Sequence, residues 1–349
     1  MVITRTPIRI SLVGGSTDIP NFYRQYGGEV ISTAIDKYIL VRITRQFNSQ
    51  IAINTPHHRE TVDAPDRIQH PLIREAMRKT GVTGGVTITV TSDIPSRGCG
   101  LGSSSALTVG LLNALYAYQG IEMPPETLAR QACEIEIDHL GQPIGKQDQY
   151  IAAYGGFKRI QFNKDESVHT QHIPVTLETI AHLEQHFTLF YTGIQRRAET
   201  ILHEQKRSAN PQTLLQIKTL VPEFYNVLLN PFPLSEVGHL LHRAWGLKRS
   251  LCDRISSHQL DAIYEHAVAA GALGGKILGA GGGGYFLFYV PTETQLAVTA
   301  ALSDLGLSRL AFCFEPKGSQ VIEERNLDES YYPHCRQRHP TQAPHLRFS

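Results

Sequence analysis

The chemical content of this 349-residue chain lies in two glycine-rich stretches and a few acids between them. Asp93-Ile94-Pro95-Ser96-Arg97-Gly98-Cys99-Gly100-Leu101-Gly102-Ser103-Ser104-Ser105-Ala106 is flanked by a β-rich run, Val86 to Thr91, and a long apolar run, Leu107 to Tyr118. Glycines at 98, 100 and 102 open backbone dihedrals closed to other residues and let the main chain approach a ligand. Three serines then stand where a helix would begin, beside the unpaired amides of its first turn. Such a helix start, with its positive dipole end, favours phosphate. An ordinary turn capping a buried helix needs fewer glycines and serines than these, so phosphate binding is the preferred reading.

The second stretch, Gly279-Ala280-Gly281-Gly282-Gly283-Gly284, formally satisfies G-x-G-x-x-G. A dinucleotide-binding turn follows a strand and opens a helix. This one precedes the strand-like Tyr285 to Val290, so the match is fortuitous. A Walker A loop is absent too: Gly141 and Gly145-Lys146 are spaced one residue short, and Gln147 replaces Ser/Thr. The candidate acids are Asp18 after Gly14-Gly15-Ser16-Thr17, Glu134 and Glu136 on one helix, and Asp148 within Gly145-Lys146-Gln147-Asp148-Gln149-Tyr150. Each has a commoner use: a turn residue for Asp18, a helix cap for Asp148 before Gln149 to Tyr154, and for Lys146 a solvated charge. Two distant glycine loops joined by Asp18, Glu136 and Asp148 are explained better by one phosphoryl-transfer site.

The elements that must position these residues follow from periodicity. A strand is read over 3–13, paired strands over 29–45 with Lys37-Tyr38 near their junction, and a polar hairpin or loop over 48–70. Helices are read over 71–80, 106–118 and 124–139, the second apolar nearly all round and therefore buried. Strands follow at 157–162 and 186–193, then helices beginning at Arg196-Arg197, 211–229, 234–252 and 260–270. The last elements are a helix over 292–305 and a strand over 310–315, followed by a polar tail expected to be weakly ordered or surface-packed.

Length allows two domains. A net charge of +1 gives no electrostatic reason to expect nucleic acid or an anionic membrane. Five cysteines without a Cys-x-x-Cys pair suggest neither zinc knuckle nor disulfide framework. The start lacks the apolar core of a signal peptide, so a cytoplasmic protein is expected.

Three motifs in order resemble the GHMP kinase superfamily: Pro7-Ile8-Arg9-Ile10-Ser11-Leu12-Val13-Gly14-Gly15-Ser16-Thr17-Asp18, Pro95 to Ala106, and Gly279 to Tyr285. Within it, Gly-Gly-Ser-Thr-Asp, Gly-Leu-Gly-Ser-Ser-Ser and Gly145 to Tyr150 look like the D-glycero-α-D-manno-heptose 7-phosphate kinases. The resemblance implies an α+β, two-domain fold: a ribosomal-protein-S5-like α/β domain (1–175), a ferredoxin-like domain (176–320) and a tail (321–349). It implies ATP and Mg2+ as cofactors and phosphorylation of a sugar or sugar phosphate at its anomeric hydroxyl by a monomer or homodimer. Carried over by position, Gly98, Gly100, Leu101, Gly102, Ser103, Ser104 and Ser105 would wrap the ATP phosphates, and Ser104 with Glu136 would hold Mg2+. Asp148 would accept or orient the hydroxyl, steadied by Arg9. Gly15, Ser16, Thr17, Asp18, Lys146, Gln147, Arg196, Gly281, Gly282 and Gly283 would contact the sugar, with Arg197 a further cationic candidate. The loop is one residue longer than usual at Ser96-Arg97, and Gly15-Ser16 replaces the Glu-His of galactokinases, which argues against galactose itself. A fucose- or galactose-like acceptor, or a non-catalytic sensor on the same fold, stays open at this point.

Overall fold

The computed structural model describes residues 1–94, 98–195, 198–230 and 233–324. Strand β1 (Val2–Val13) opens the chain, helix α1 (Pro20–Tyr26) follows, and β2 (Gly28–Arg45) is one 18-residue strand where a pair was expected. The junction expected near Lys37-Tyr38 is a bulge: Pro7 faces Tyr38 while Ile8 faces Ile35. The two extra residues bend the strand without reversing it. A hairpin of β3 (Ile51–Thr55) and β4 (His58–Val62) comes next, then α2 (Pro71–Thr80) and β5 (Val86–Ser92).

Helix α3 (Ser103–Tyr118) is buried along nearly its whole length, as its unbroken apolarity demands. Helix α4 (Pro125–Cys133) runs into a π-helical turn at Glu134–His139, then α5 (Gln147–Tyr154), β6 (Phe157–Phe162) and β7 (Val168–His172) follow. Beyond them lie α6 (Leu177–His186), β8 (Phe187–Tyr191), α7 (Ala198–Ser208), α8 (Pro211–Leu229), α9 (Glu236–Arg249) and α10 (His258–Ala269). The chain continues through β9 (Gly274–Ile277), β10 (Tyr285–Tyr289), α11 (Gln295–Asp304), β11 (Ser308–Leu310) and β12 (Gln320–Glu324).

Among the described residues these strands form two sheets. In the first, β2 is the spine: β1 covers one edge, while β6 and β5 share the other end to end. The parallel pair β3–β5 extends it. The second sheet, β11-β8-β10-β9, is antiparallel throughout, as a ferredoxin-like lobe requires. Strand β10 is apolar at every position because both of its faces are covered. Tyr285, Leu287 and Tyr289 join the core beneath the first sheet, whereas Phe286 and Phe288 pack with Trp245 and Tyr264.

The last strand is shorter than the sequence suggested. It stops at Leu310, and Phe314 makes an isolated bridge to Ile35 as the chain crosses back to the first sheet. The polar tail then begins as strand β12, antiparallel to β1. Residues 325–349 lie outside the described residues. Among the described residues no helix is long and apolar enough to cross a membrane.

Candidate active site

Gly98, Gly100 and Gly102 all adopt positive φ, which is why the loop before α3 is written in glycine. Gly102 occupies the N-cap position of α3 and no side chain caps the helix start. A Cβ on Gly100 would fall 2.5 Å from the Leu278 carbonyl, and one on Gly279 would fall 2.6 Å from Gly100 Cα. The two glycine stretches are therefore packed backbone against backbone, and the Tyr285 amide donates to the Cys99 carbonyl at 3.2 Å. Pro95, Ser96 and Arg97 lie outside the described residues.

Behind this loop the two glutamates of the π-helical turn separate. Ser104 Oγ donates to Glu136 Oε1 at 2.8 Å, and Gln149 Nε2 donates to Oε2 at 2.6 Å. Glu136 is fully buried, and burial raises its carboxyl to about 7 against hydrogen bonds from Ser105, Gln149 and Ser104. Glu134 is turned outward and paired with Lys79 at 2.7 Å. The buried Gln149 Oε1 has no partner. One carboxylate, a serine hydroxyl and an unsatisfied amide oxygen suit a hard cation that keeps waters and shares its shell with phosphate oxygens. Among the described residues no cluster of three His, Cys, Asp or Glu forms a self-sufficient metal cage.

In front of the loop stands the second carboxylate. Arg9, from β1, donates through Nε and Nη2 to the two oxygens of Asp148, and through Nη1 to the Gly100 carbonyl at 2.6 Å. The cap reading of Asp148 fails, because α5 starts at Gln147 and Asp148 lies inside its first turn. A Cβ on Gly102 would sit 3.2 Å from Asp148 Oδ2 and 3.1 Å from Arg9 Cγ. The last glycine of the loop thus touches both members of the pair.

Asp18 is buried beside them and accepts from the Ser16 amide at 3.1 Å and the Gln147 amide at 3.2 Å. Burial first, and then the Asp148 charge, raise its carboxyl to about 6. Ser16 takes φ 75, and its Oγ accepts from Gln205 Nε2 of α7 at 2.6 Å. Gly15, Ser16, Asp18, Gln147 and Asp148 all line one cavity between the two sheets.

Other expected contacts are elsewhere. Thr17 is buried, with its hydroxyl tied to Gly14 and Glu29, so it pins the turn instead of reaching the cavity. Lys146 turns away to Glu166 at 2.9 Å and lies over the Tyr23 ring. Gly279 and Ala280 line the cavity, whereas Gly281 and Gly282 pack on Ile255 and Gly283 on Ile194. Arg196 and Arg197 lie outside the described residues.

The cations that do line the cavity are Arg9, Lys248 and Lys276. Lys248 and Lys276 escaped the sequence reading because nothing local marks them: one sits on an ordinary helix, the other inside a short strand. Burial, and then the Arg9 charge, lower Lys248 to about 7. Burial, Lys248 and Arg9 push Lys276 well below the usual lysine range.

Residues 69–156 match the family model of the GHMP kinases N terminal domain, and residues 232–306 that of the GHMP kinases C terminal domain. The chain is 27% identical over 321 residues to the D-glycero-alpha-D-manno-heptose 7-phosphate kinase of Campylobacter jejuni, covering 87% of this chain and 94% of that protein. It is 24% identical over 345 residues to the galactokinase of Pyrococcus furiosus, covering 86% and 92%. The crystal structure of a D-glycero-D-manno-heptose 1-phosphate kinase from Bacteroides thetaiotaomicron superposes with a TM-score of 0.77 at 25% identity, covering 93% of this chain and all of that one. With matches on both lobes and the glycine loop, paired carboxylates and cavity between them, the chain belongs to the GHMP kinase family and is an ATP-dependent phosphotransferase.

Proposed function

We propose that this sugar kinase transfers the γ-phosphoryl of ATP to the anomeric C1 hydroxyl of a sugar, with D-glycero-α-D-manno-heptose 7-phosphate as acceptor and the 1,7-bisphosphate as product. The observation that carries this reading is the meeting at Gly102. There the loop suited to the ATP phosphates touches Asp148, the carboxylate suited to an acceptor hydroxyl. The heptose assignment is supported by the 27% identity to the Campylobacter jejuni enzyme and by Gly15-Ser16 in place of the galactokinase Glu-His.

In this reading the amides of Gly98 to Ser105 and the α3 dipole hold the phosphates by direct hydrogen bonds. Mg2+, held by Ser104 and Glu136, would supply charge neutralisation on the phosphate oxygens. Asp18, Gly15, Ser16 and Gln147 grip the sugar hydroxyls. The acceptor oxygen forms the new P–O bond while the β,γ-bridging bond breaks, and an Asp148 carboxylate oxygen takes the hydroxyl proton. Arg9 keeps Asp148 oriented and offers a positive charge to the oxygens between the two reactants.

The test is a panel of sugars and sugar phosphates assayed for C1 phosphorylation. Heptose 7-phosphate should give the highest kcat/KM; preference for fucose or galactose would replace the acceptor, and absence of ATP consumption with every acceptor would remove the kinase reading.

A further inference from the structure

One sector of the cavity wall is left unused by this reading. Lys276 Nζ donates to the Ser11 and Leu12 carbonyls at 3.0 and 2.9 Å, tying β9 to β1. Lys248 Nζ donates to the Ile277 and Gly279 carbonyls at 3.0 and 2.5 Å. Burial and neighbouring positive charge hold both amines low; an anion bound against them restores the ammonium form, whose three donors leave one on each lysine beyond the two main-chain bonds. Neither lysine forms an ion pair among the described residues, and both line the cavity. Between them and the sugar turn lies Ser11, 4% exposed, whose Oγ is buried without a hydrogen-bond partner. A buried hydroxyl left unpaired is destabilising unless a ligand completes it. Gly15 keeps the space above it open, since a Cβ there would stand 3.2 Å from Ser11 Oγ.

We propose that Ser11, Lys248 and Lys276 form a phosphoryl-binding subsite, separate from the glycine loop, on the wall where β1 meets the second lobe. Three donors converge on one cavity, and neither lysine is ion-paired with the carboxylates that share it, Asp18 and Asp148. A neutral sugar hydroxyl would satisfy one of them; a group with several anionic oxygens satisfies all three. Arg9 and Asp148 neutralise each other, which leaves Asp18 and the two lysines to set the charge of the cavity. The inference rests on the kinase reading and adds to it. Two sources share this chemistry: a phosphate already on the acceptor, and the γ-phosphoryl in transit.

Ser11→Ala and Lys248→Met in the full chain separate them. Ser11→Ala breaks no existing side-chain bond, so it tests the subsite even where Lys248→Met lowers stability; circular dichroism checks that both fold. Inorganic phosphate titrated calorimetrically should bind the wild type and lose about tenfold in affinity in Lys248→Met, with a smaller loss in Ser11→Ala. With heptose 7-phosphate and the unphosphorylated heptose as acceptors, a KM rise confined to the phosphorylated one assigns the subsite to the acceptor's phosphate. An equal fall of kcat with both assigns it to the transferred phosphoryl. Phosphate affinity and kinetics unchanged in both variants would overturn the subsite. Failure to turn over heptose 7-phosphate, with phosphate binding still lost in the variants, removes only the acceptor assignment.

Discussion

Arg9 and Asp148, 139 residues apart in the chain, face each other through two parallel hydrogen bonds of 2.7 and 2.6 Å. This fork geometry fixes the carboxylate in its own plane and needs both guanidinium nitrogens. Asp148→Asn should keep nucleotide binding while turnover falls by about 10²–10⁴-fold, the span of a lost acid–base group. Arg9→Lys should also fall, because an ammonium reaches only one oxygen at a time. Steady-state rates beside an ATP titration check both; near-normal turnover in Asp148→Asn sinks the assigned role.

Gly145 holds Asp18 in place by having no side chain. A Cβ there would lie 1.9 Å from Asp18 Oδ2, which no relaxation of a fully buried carboxylate absorbs. Gly145→Ala should raise KM for the sugar and lower the melting temperature. Gly246→Ala, in α9 with nothing within 4 Å, is the matched control and should gain up to about 1 kcal/mol in stability. Thermal melts and sugar titrations of the two variants distinguish a local clash from a general glycine effect.

The acceptor affinity should depend on pH through Asp18, whose carboxyl sits at about 6. As pH falls through 6 the group gains a proton and loses the charge that strengthens its hydrogen bonds to the sugar, so KM should rise; Asp18→Asn should remove the inflection. The stability sign is the reverse. A folded-state value raised above 3.8 means the stability linked to Asp18 is present at low pH and lost as pH rises through 6. Asp18→Asn should therefore melt higher than wild type at pH 8. KM and melting profiles between pH 5 and 8 measure both.

Thr17 serves as the contrast to its neighbour. Its hydroxyl donates within hydrogen-bond range of the Gly14 and Glu29 carbonyls and accepts from the Glu29 amide at 2.9 Å. Thr17→Val leaves these main-chain groups short of a partner at a cost of about 1–3 kcal/mol. Urea unfolding should show this loss, with the nucleotide KM unchanged; a large change in that KM with full stability would refute a purely structural Thr17.

What the chain reveals locally and what it withholds divide along physical lines. The buried strand β10 and helix α3 were legible because covering every face leaves no polar position to write. Glu134 and Glu136 are alike as sequence, and the π-helical turn separates them by sending one carboxylate inward and leaving the other to Lys79. Strand β2 was misjudged because the break in alternation before Lys37-Tyr38 looks like a turn, while a bulge produces the same break without reversing the chain. Lys146 was misread because its partner Glu166 belongs to a turn 20 residues on. Lys248 and Lys276 were silent for a deeper reason. In the sequence they resemble any solvated lysine until the second lobe, which carries them, packs against β1.

The return of the chain to its first strand has a consequence for biosynthesis. Since β12 pairs with β1 through Val2 to Arg5, the first sheet cannot be completed until residue 324 has been made. Until then β1 carries an open row of amides and carbonyls, the kind of edge that recruits other strands. A nascent chain stopped after residue 175 would hold the glycine loop, Arg9 and Asp148 yet present that unsealed border. Truncation at the lobe boundary should therefore yield an aggregating fragment rather than a half-kinase, and the assembly of the enzyme is gated by synthesis of its second lobe.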